Sequence, residues 1–479
     1  MSFSKEIESF IKDFVRDLSE SNVAIFAGAG LSKSAGYVNW PELLREIADE
    51  LGLSVDREHD LISLAQYHVN ESKGRAKINR KILEEFAEEA EATENHEILS
   101  RLPITTFWTT NYDKLIEEAL KKGYKIVDVK FEKEQLSTTK PKRDVVVYKM
   151  HGDVDHPAKA ILTKEQYEAY YKTHEHFITA LSGDLISKTF LFIGFSFTDP
   201  NLDYVLSRLN IQFGENNRQH YCFIRKTIRN KAEDEEIFKY NVRKQELMIG
   251  DLKRYKIKTL LVDEYSEITE VLKEIERRNK KKTIFISGSA EDYGAWDRNT
   301  AQGFVHQLSK QLVLSGFNIV NGFGWGIGSA VINGALEAIY ERPDKFSEDQ
   351  LIMRPFPQFG SGEKQLPELW NEYRQRMISL AGVAVFIFGN KNDEDGRLIL
   401  ANGVRMEFQI AIDQGVIPIP IAATGFIAKE LFDEVMKQSL AVYPGIEWVI
   451  PWLKELSNDK LPPDKIVNIV LQIVQMLNK

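Results

Sequence analysis

The chain has 479 residues, a single cysteine (Cys222), 43% hydrophobic residues and a formal charge of −9. That length holds two or three domains with cores of their own, the lone cysteine excludes a disulfide framework, and the acidic balance argues against a duplex nucleic-acid partner. No positively charged leader with an apolar stretch opens the sequence, and no apolar run approaches the ~20 residues of a membrane helix, so a soluble cytoplasmic protein without a membrane partner is expected.

In chain order, Ile7, Phe10, Ile11, Phe14, Val15 and Leu18 recur at i, i+3, i+4 spacing and predict an amphipathic helix. Short β-rich runs follow at Val23–Ala27, Thr105–Thr109, Val145–Met150, Thr189–Ile193 and Tyr221–Ile224, with amphipathic stretches between them. These runs are continuous rather than alternating, as in strands buried on both faces of a parallel sheet. Lys140–Arg143 (KPKR) and Arg277–Lys282 (RRNKKK) read as solvated loops, because no aromatics interleave their charges. The second run sets an expected boundary near Lys280, with residues 1–280 as one domain and 283–479 as another. Beyond it the rhythm repeats: Thr283–Ser287, a helix through Phe304–Leu314, Phe317–Val320 and a helix through Ala330–Ile339. Val383–Phe388 and Val416–Ile421 then flank a third helical segment. The expected fold class is α/β, two Rossmann-like parallel-sheet domains in tandem.

Residues able to do chemistry follow the strand runs, at the sheet edge where open parallel sheets bind ligands. GAGLSKSAG, from Gly28, offers glycines for close backbone approach and a helix start suited to an anion. TTNYD (Thr109–Asp113), KMHGD (Lys149–Asp153) and GFSFTDPNL (Gly194–Leu202) each follow a later run. Singly, each also has a structural reading: Asn111 as an Asx-turn residue, His151 as a hydrogen-bonded interior histidine, Gly194 as a plain turn.

Together the four stretches resemble the NAD-binding catalytic domain of the sirtuin (SIR2) family. Gly28, Ala29, Gly30 and Ser32 match its phosphate loop, and Thr110, Asn111 and Asp113 match its T-x-N-x-D motif. His151 with Gly152 matches its catalytic HG, and Gly194 with Ser196 its ribose-contacting G-x-S. The resemblance implies NAD⁺ as substrate. In it Asn111 holds the ribose and orients water, His151 exchanges a proton with a ribose hydroxyl or that water, Asp113 faces the nicotinamide carboxamide, and the glycine loop cradles the pyrophosphate with its amides. Deacylases of that family carry a zinc held by four cysteines, which Cys222 alone cannot supply. No metal is expected, and a peptide substrate is disfavoured.

In the second domain GSAEDYG, from Gly288, and NGFGWGIGSAVINGALEA, from Asn321, resemble the SLOG family of phosphoribohydrolases and nucleotide-signal sensors. Where its enzymes carry P-G-G-x-G-T-x-x-E, Gly403 and Glu407 keep the final spacing, but the Pro-Gly-Gly and the threonine are missing, which points to binding without turnover. Candidate signal contacts are Ser287, Gly288 and Ser289, then Gly324, Gly326 and Gly328, with Arg374, Lys391 and Glu407 as charged partners. A SIR2-like domain followed by a SLOG domain resembles the NAD-consuming effectors of bacterial Thoeris antiphage systems. That resemblance implies NAD⁺ hydrolysis to ADP-ribose and nicotinamide, a cyclic ADP-ribose isomer from a TIR-domain partner as activator, and a homotetramer or larger assembly. Two other classes fit the same residues: a zinc-free deacylase or ADP-ribosyltransferase, and a non-catalytic nucleotide-sensing scaffold.

Overall fold

The computed structural model describes residues 3–58, 60–86, 90–229, 234–360 and 364–478. The chain divides into two compact units, Met1–Glu276 and Arg277–Lys479.

The first unit opens with the helix Lys5–Ser19, which starts where the Ser4 hydroxyl accepts from the Ile7 amide. Seven strands follow: β1 (Val23–Ala27), β2 (Thr106–Thr109), β3 (Val127–Lys130), β4 (Val145–Lys149), β5 (Thr189–Ile193), β6 (His220–Arg225) and β7 (Ile257–Val262). They form one all-parallel sheet in the order β3-β4-β2-β1-β5-β6-β7. The central strands coincide with the expected apolar runs. β3 and β7 were not expected, because Asp128 and Lys130 interrupt the first and Lys258 and Thr259 the second. Asp128 and Lys130 are nonetheless buried, 2.9 Å apart as an ion pair.

One sheet face buries Ile25, Phe107 and Leu191 under Phe10 and Phe14 of the first helix and Val271, Leu272 and Ile275 of the helix Ser266–Lys280. The other face buries Phe26, Trp108 and Phe192 under Tyr170, Phe177 and Leu206. Between β1 and β2 the chain inserts the helices Trp40–Glu50, Leu61–Ser72 and Ala76–Phe86. Asn39 and Glu42 form a reciprocal capping box at the first of these. Leu44, Ile47, Leu64 and Ile82 pack there with Tyr112 and Val154, so the insert rests on the loops that follow β2 and β4.

In the second unit β8 (Thr283–Ser289), β9 (Asn318–Asn321), β10 (Leu351–Met353) and β11 (Val383–Phe388) precede a hairpin of β12 (Asn390–Asn392) and β13 (Leu398–Leu400), then β14 (Ile417–Pro420). The parallel sheet runs β10-β9-β8-β11-β14. In both sheets the chain fills one side of its first strand before crossing to the other, although in the first sheet β4 returns to lie between β2 and β3. The basic run Arg277–Lys282, expected as a solvated loop, instead completes the helix Ser266–Lys280, and Lys281 is buried with its Nζ donating to the Leu477 carbonyl at 3.2 Å. The division of the chain between the two units accordingly falls within that helix rather than after a loop.

Among the buried histidines of the first unit, His96 and His220 are held neutral by their surroundings. Burial lowers His96 from the ordinary 6.5 to about 4, against a small opposing pull from Asp113. Burial, with some help from Arg218, lowers His220 to about 3, where its Nδ1 accepts from the Phe190 amide at 3.1 Å and ties β6 to β5. Because both folded values lie below the unfolded one, the stability each contributes is complete above pH 6.5 and is lost as pH falls toward the folded values. Each histidine withdraws about 1.4 kcal/mol per pH unit in that window. Thermal melts of the full chain should show the first unit's transition falling steadily from about pH 6.5 to about pH 4.5; a flat melting temperature across that range contradicts the neutral, buried state of both rings.

Candidate functional site

Four strand ends of the first unit lie in one register row, set by the pairings Lys149↔Thr109, Thr109↔Ala27 and Ala27↔Ile193. Just past that row begin the four stretches singled out in the sequence. The row spans the switch point between β1 and β5, where open α/β sheets bind ligands.

The loops after β1 and β5 touch backbone to backbone. Gly28 donates to the Ile193 carbonyl at 3.0 Å and Gly30 to the Gly194 carbonyl at 2.8 Å. A Cβ on Gly28 would lie 2.5 Å from the Gly194 oxygen, and one on Gly194, whose φ is +64°, would lie 2.2 Å from the Leu31 nitrogen. The expectation that Gly28 and Gly30 present their amides to a pyrophosphate is corrected accordingly: both amides are engaged within the fold, and these glycines permit the crossing. Ala29, half-buried, and Ser32, buried, belong to the five-residue helix Ala29–Lys33 that follows.

Asn111 is latched to this crossing. Its Nδ2 donates to the Gly28 carbonyl at 3.1 Å and to Ser32 Oγ at 2.9 Å, while its amide donates to Thr109 Oγ1 at 3.0 Å. With both side-chain hydrogens engaged, Oδ1 is the atom left for a ligand. Thr110 lies half-buried beside it.

His151, two residues past the row on β4, is 1% exposed. Its Nε2 stands 3.2 Å from Asp199 Oδ2 and its Nδ1 3.4 Å from the Tyr167 hydroxyl. Asp199 also starts the helix Pro200–Phe213, with Oδ1 accepting from the Asn201 and Leu202 amides at 3.0 Å each. Burial pushes the Asp199 carboxyl up, but His151 and those two amides outweigh it and hold the group below its ordinary value.

Asp113, expected to face nicotinamide, is 4% exposed and has a structural partner: its Oδ1 accepts from the Leu115 amide at 3.1 Å at the start of the helix Leu115–Lys122. Beneath it lies Lys149, fully buried. Its Nζ donates to the Asp113 carbonyl and to Asp153 Oδ2 at 2.6 Å each and to the Tyr112 carbonyl at 3.0 Å, and it pairs with Glu117 at 3.0 Å. Burial alone would lower the Lys149 ammonium's pKa; Glu117 and Asp153 reverse that and raise the group above its ordinary value. This ion cluster braces the loops that carry Asn111 and His151. Ser196 is exposed, its hydroxyl 2.8 Å from that of Thr198.

The second unit has a cleft of about 260 Å³ at its own strand ends. Of the expected contacts, Ser287, Gly288, Gly324 and Glu407 line it, together with Phe323 and Trp325. Ser287 donates to Glu407 Oε2 at 2.6 Å, and Arg374 Nε lies 3.6 Å from Glu407 Oε1 while its guanidinium stacks 4.9 Å over Phe356. Burial raises the Glu407 carboxyl, with Ser287 and Arg374 opposing. Ser289, Gly326, Gly328, Arg374 and Lys391 are not among the lining residues, Arg374 standing behind Glu407 and Phe356. Ser289 donates to the Asn390 carbonyl at 3.0 Å, Gly326 accepts from Tyr293 at 2.9 Å, Gly328 starts the helix Gly328–Glu341, and Lys391 is exposed on the hairpin.

Sequence reasoning missed Asp199, although Asp-Pro is a helix-start signal, and it missed the two asparagines that shape the second cleft. Asn321 donates to the Ile286 carbonyl at 2.9 Å and accepts from the Phe323 amide at 2.7 Å. Asn390 accepts from the Glu291 and Asp292 amides at 2.9 Å each. Among the described residues no three His, Cys, Asp or Glu side chains gather as a metal-holding set, and no helix is long and apolar enough to cross a membrane.

A family profile described as SIR2-like domain matches residues 105–244, and one described as Sir2- and TIR-associating SLOG family matches residues 267–477. Over its whole length the chain is 51% identical to the whole of NAD(+) hydrolase ThsA from Bacillus cereus. It is 45% identical to NAD(+) hydrolase ThsA from Acinetobacter baumannii, over 99% of this chain and 100% of that one. The chain belongs to the ThsA family. A further ThsA, from Cytobacillus dafuensis, is 49% identical over 91% of this chain and 89% of its own. Membership accounts for the order of the two units, SIR2-like and then SLOG.

The Arg374–Glu407 contact yields a test. Arg374→Ala leaves the buried Glu407 without its cation, and the second unit should lose roughly 3 kcal/mol of stability in denaturant unfolding. A variant as stable as the wild type contradicts the pairing.

Proposed function

We propose that this chain hydrolyses NAD⁺ to ADP-ribose and nicotinamide. The observation that carries the reading is the register row that sets Asn111 and His151 at neighbouring strand ends, beside the β1–β5 crossing. Identities of 51% and 43% to proteins named NAD(+) hydrolase support the substrate. In the reaction the bond from the ribose C1′ to the nicotinamide nitrogen breaks, its electron pair leaves with nicotinamide, and a water oxygen bonds to C1′. Asn111 Oδ1 holds the ribose or the incoming water. His151 accepts the proton that the water or a ribose hydroxyl gives up. Ala29, Ser32 and Thr110 hold the pyrophosphate side, and Gly28, Gly30 and Gly194 keep that wall free of side chains. Asp113, whose Oδ2 is buried without a hydrogen-bond partner, faces the nicotinamide carboxamide, and Ser196 contacts the ribose, as the resemblance implies. NAD⁺ is consumed, not retained, and no metal takes part.

Asn111→Ala and His151→Ala should each lower NAD⁺ hydrolysis about 10²-fold or more while the protein melts as wild type. Undiminished hydrolysis by both well-folded variants overturns the assignment.

The second unit, in this proposal, senses a cyclic ADP-ribose isomer made by a TIR-domain partner, and the whole serves antiphage defence in the cytoplasm by depleting NAD⁺. Support comes from the profile described as Sir2- and TIR-associating and from the cleft's chemistry. Glu407 accepts from ribose hydroxyls, Arg374 and Lys391 meet the pyrophosphate, and Ser287, Gly288 and Gly324 form the wall, with Ser289, Gly326 and Gly328 shaping the loops behind it, as the resemblance implies. Free NAD⁺ hydrolysis is toxic, so the enzyme rests inactive. A shift from about 1:99 to 99:1 active requires a state preference near 10⁴-fold, or ~5.5 kcal/mol, above the roughly 1–3 kcal/mol of a single coupling. A homotetramer or larger assembly closes that gap through linked sites. Titrating the full-length chain with a panel of cyclic ADP-ribose isomers should give sigmoidal activation by at least one, displaced to higher concentration by Lys391→Gln. Equal hydrolysis with and without every isomer contradicts the sensor role.

A further inference from the structure

We propose that Asp199 is a positioning residue of the first site: it holds the proton of neutral His151 on Nε2, so that Nδ1 carries the lone pair that takes a proton during NAD⁺ hydrolysis. The inference rests on the reading of His151 as the proton acceptor and names which nitrogen acts and what selects it.

The two oxygens of the Asp199 carboxylate have separate tasks. Oδ1 starts the helix Pro200–Phe213 by accepting from the Asn201 and Leu202 amides, a task that Asn or Ser performs about as well. Oδ2 stands 3.2 Å from His151 Nε2 as an ion-pair contact whose alignment falls short of a well-formed hydrogen bond, and the Tyr167 hydroxyl meets the same carboxylate. A carboxylate only accepts hydrogen bonds, so it demands N–H at that nitrogen; a neutral imidazole has one N–H, and its lone pair is then fixed on Nδ1. The helix that presents Asp199 cannot swing it away, since Leu202, Val205 and Leu206 anchor it in the core.

The remaining groups around the ring leave this choice to Asp199. Tyr167 meets it edge-on at 5.3 Å between centroids and Tyr170 at 6.3 Å, both from the helix Lys164–Thr173. His174 lies beyond, stacked on Tyr170 at 4.5 Å. Tyr112 belongs to the same neighbourhood through its electrostatic contact with Asp199 and Tyr167. None of these is a carboxylate, and Tyr167 can donate or accept. Its hydroxyl stands 3.4 Å from Nδ1, longer than a strong hydrogen bond. Once His151 has taken that proton, the ring is a cation facing the Asp199 carboxylate, which stabilises it where water is excluded.

The test uses the full-length chain with Asp199→Asn and Asp199→Ser, both of which retain a helix-starting oxygen, and with His151→Gln for comparison. Hydrolysis is followed over an NAD⁺ titration in the presence of whichever cyclic ADP-ribose isomer activates the wild type most. Histidine-selective ¹⁵N labelling reports the His151 tautomer, assigned by the signal lost in His151→Gln. The expected result is an Nε2–H tautomer in the wild type, a changed tautomer in Asp199→Asn, and a kcat about 10²-fold lower in both Asp199 variants with KM within about threefold. An Nδ1–H tautomer in the wild type overturns the inference whether or not any variant folds. So does near-wild-type kcat in Asp199→Asn when His151→Gln is inactive, an outcome that leaves His151 as proton acceptor intact. Wild-type hydrolysis by His151→Gln overturns both that reading and this inference.

Discussion

The first unit's chemistry depends on a backbone contact with no room for a side chain, where the loop after β1 crosses the loop after β5 at Gly28, Gly30 and Gly194. The crossing fixes the Gly28 carbonyl and Ser32 as anchors for Asn111 Nδ2. It also directs the chain after β5 toward the helix that begins at Asp199, whose second oxygen reaches His151. One register row supplies the geometry, and the glycines allow two strands of that row to be bridged above the sheet. The cost is carried by a buried lysine, since Lys149 gathers Glu117, Asp153 and two carbonyls beneath the same loops.

The second unit repeats the device with different chemistry. A Cβ on Gly324 would lie 2.0 Å from the Gly288 oxygen, and Asn321 latches the two loops as Asn111 does in the first unit. Its cleft, however, is lined by aromatic rings and a carboxylate already engaged by Ser287 and Arg374, with no histidine among its lining residues. Under the proposed function, two parallel sheets with a glycine crossing at their strand ends serve an acid–base site in one unit and a recognition cleft in the other.

Most of the central sheet was legible because strands buried on both faces are written as unbroken apolar runs. β3 and β7 were hidden by Asp128, Lys130, Lys258 and Thr259, polar residues whose partners are visible only in three dimensions. The strand-end stretches were legible as glycine, asparagine and histidine placed where ligands bind. The Asp199–His151 contact was not, because nothing in either stretch says that a helix start after β5 faces the loop after β4. Lys149 was passed over as a site residue for a related reason: a lysine between apolar strands is ordinarily read by its neighbours, and its acidic companions Glu117 and Asp153 come from separate segments. The amides of Gly28 and Gly30 show the converse error, where a motif suggested ligand contact and the fold had already engaged the groups.

The central claim is that the first strand row carries out water-dependent scission of NAD⁺ under control of the second unit. The most direct measurement is chromatographic product analysis of the full-length chain incubated with NAD⁺, an acylated peptide and a panel of cyclic ADP-ribose isomers. The account predicts equimolar nicotinamide and free ADP-ribose, appearing with an activating isomer and unaffected by the peptide. Acyl-ADP-ribose or ADP-ribosylated peptide as the main product, or intact NAD⁺ under every condition, would contradict it.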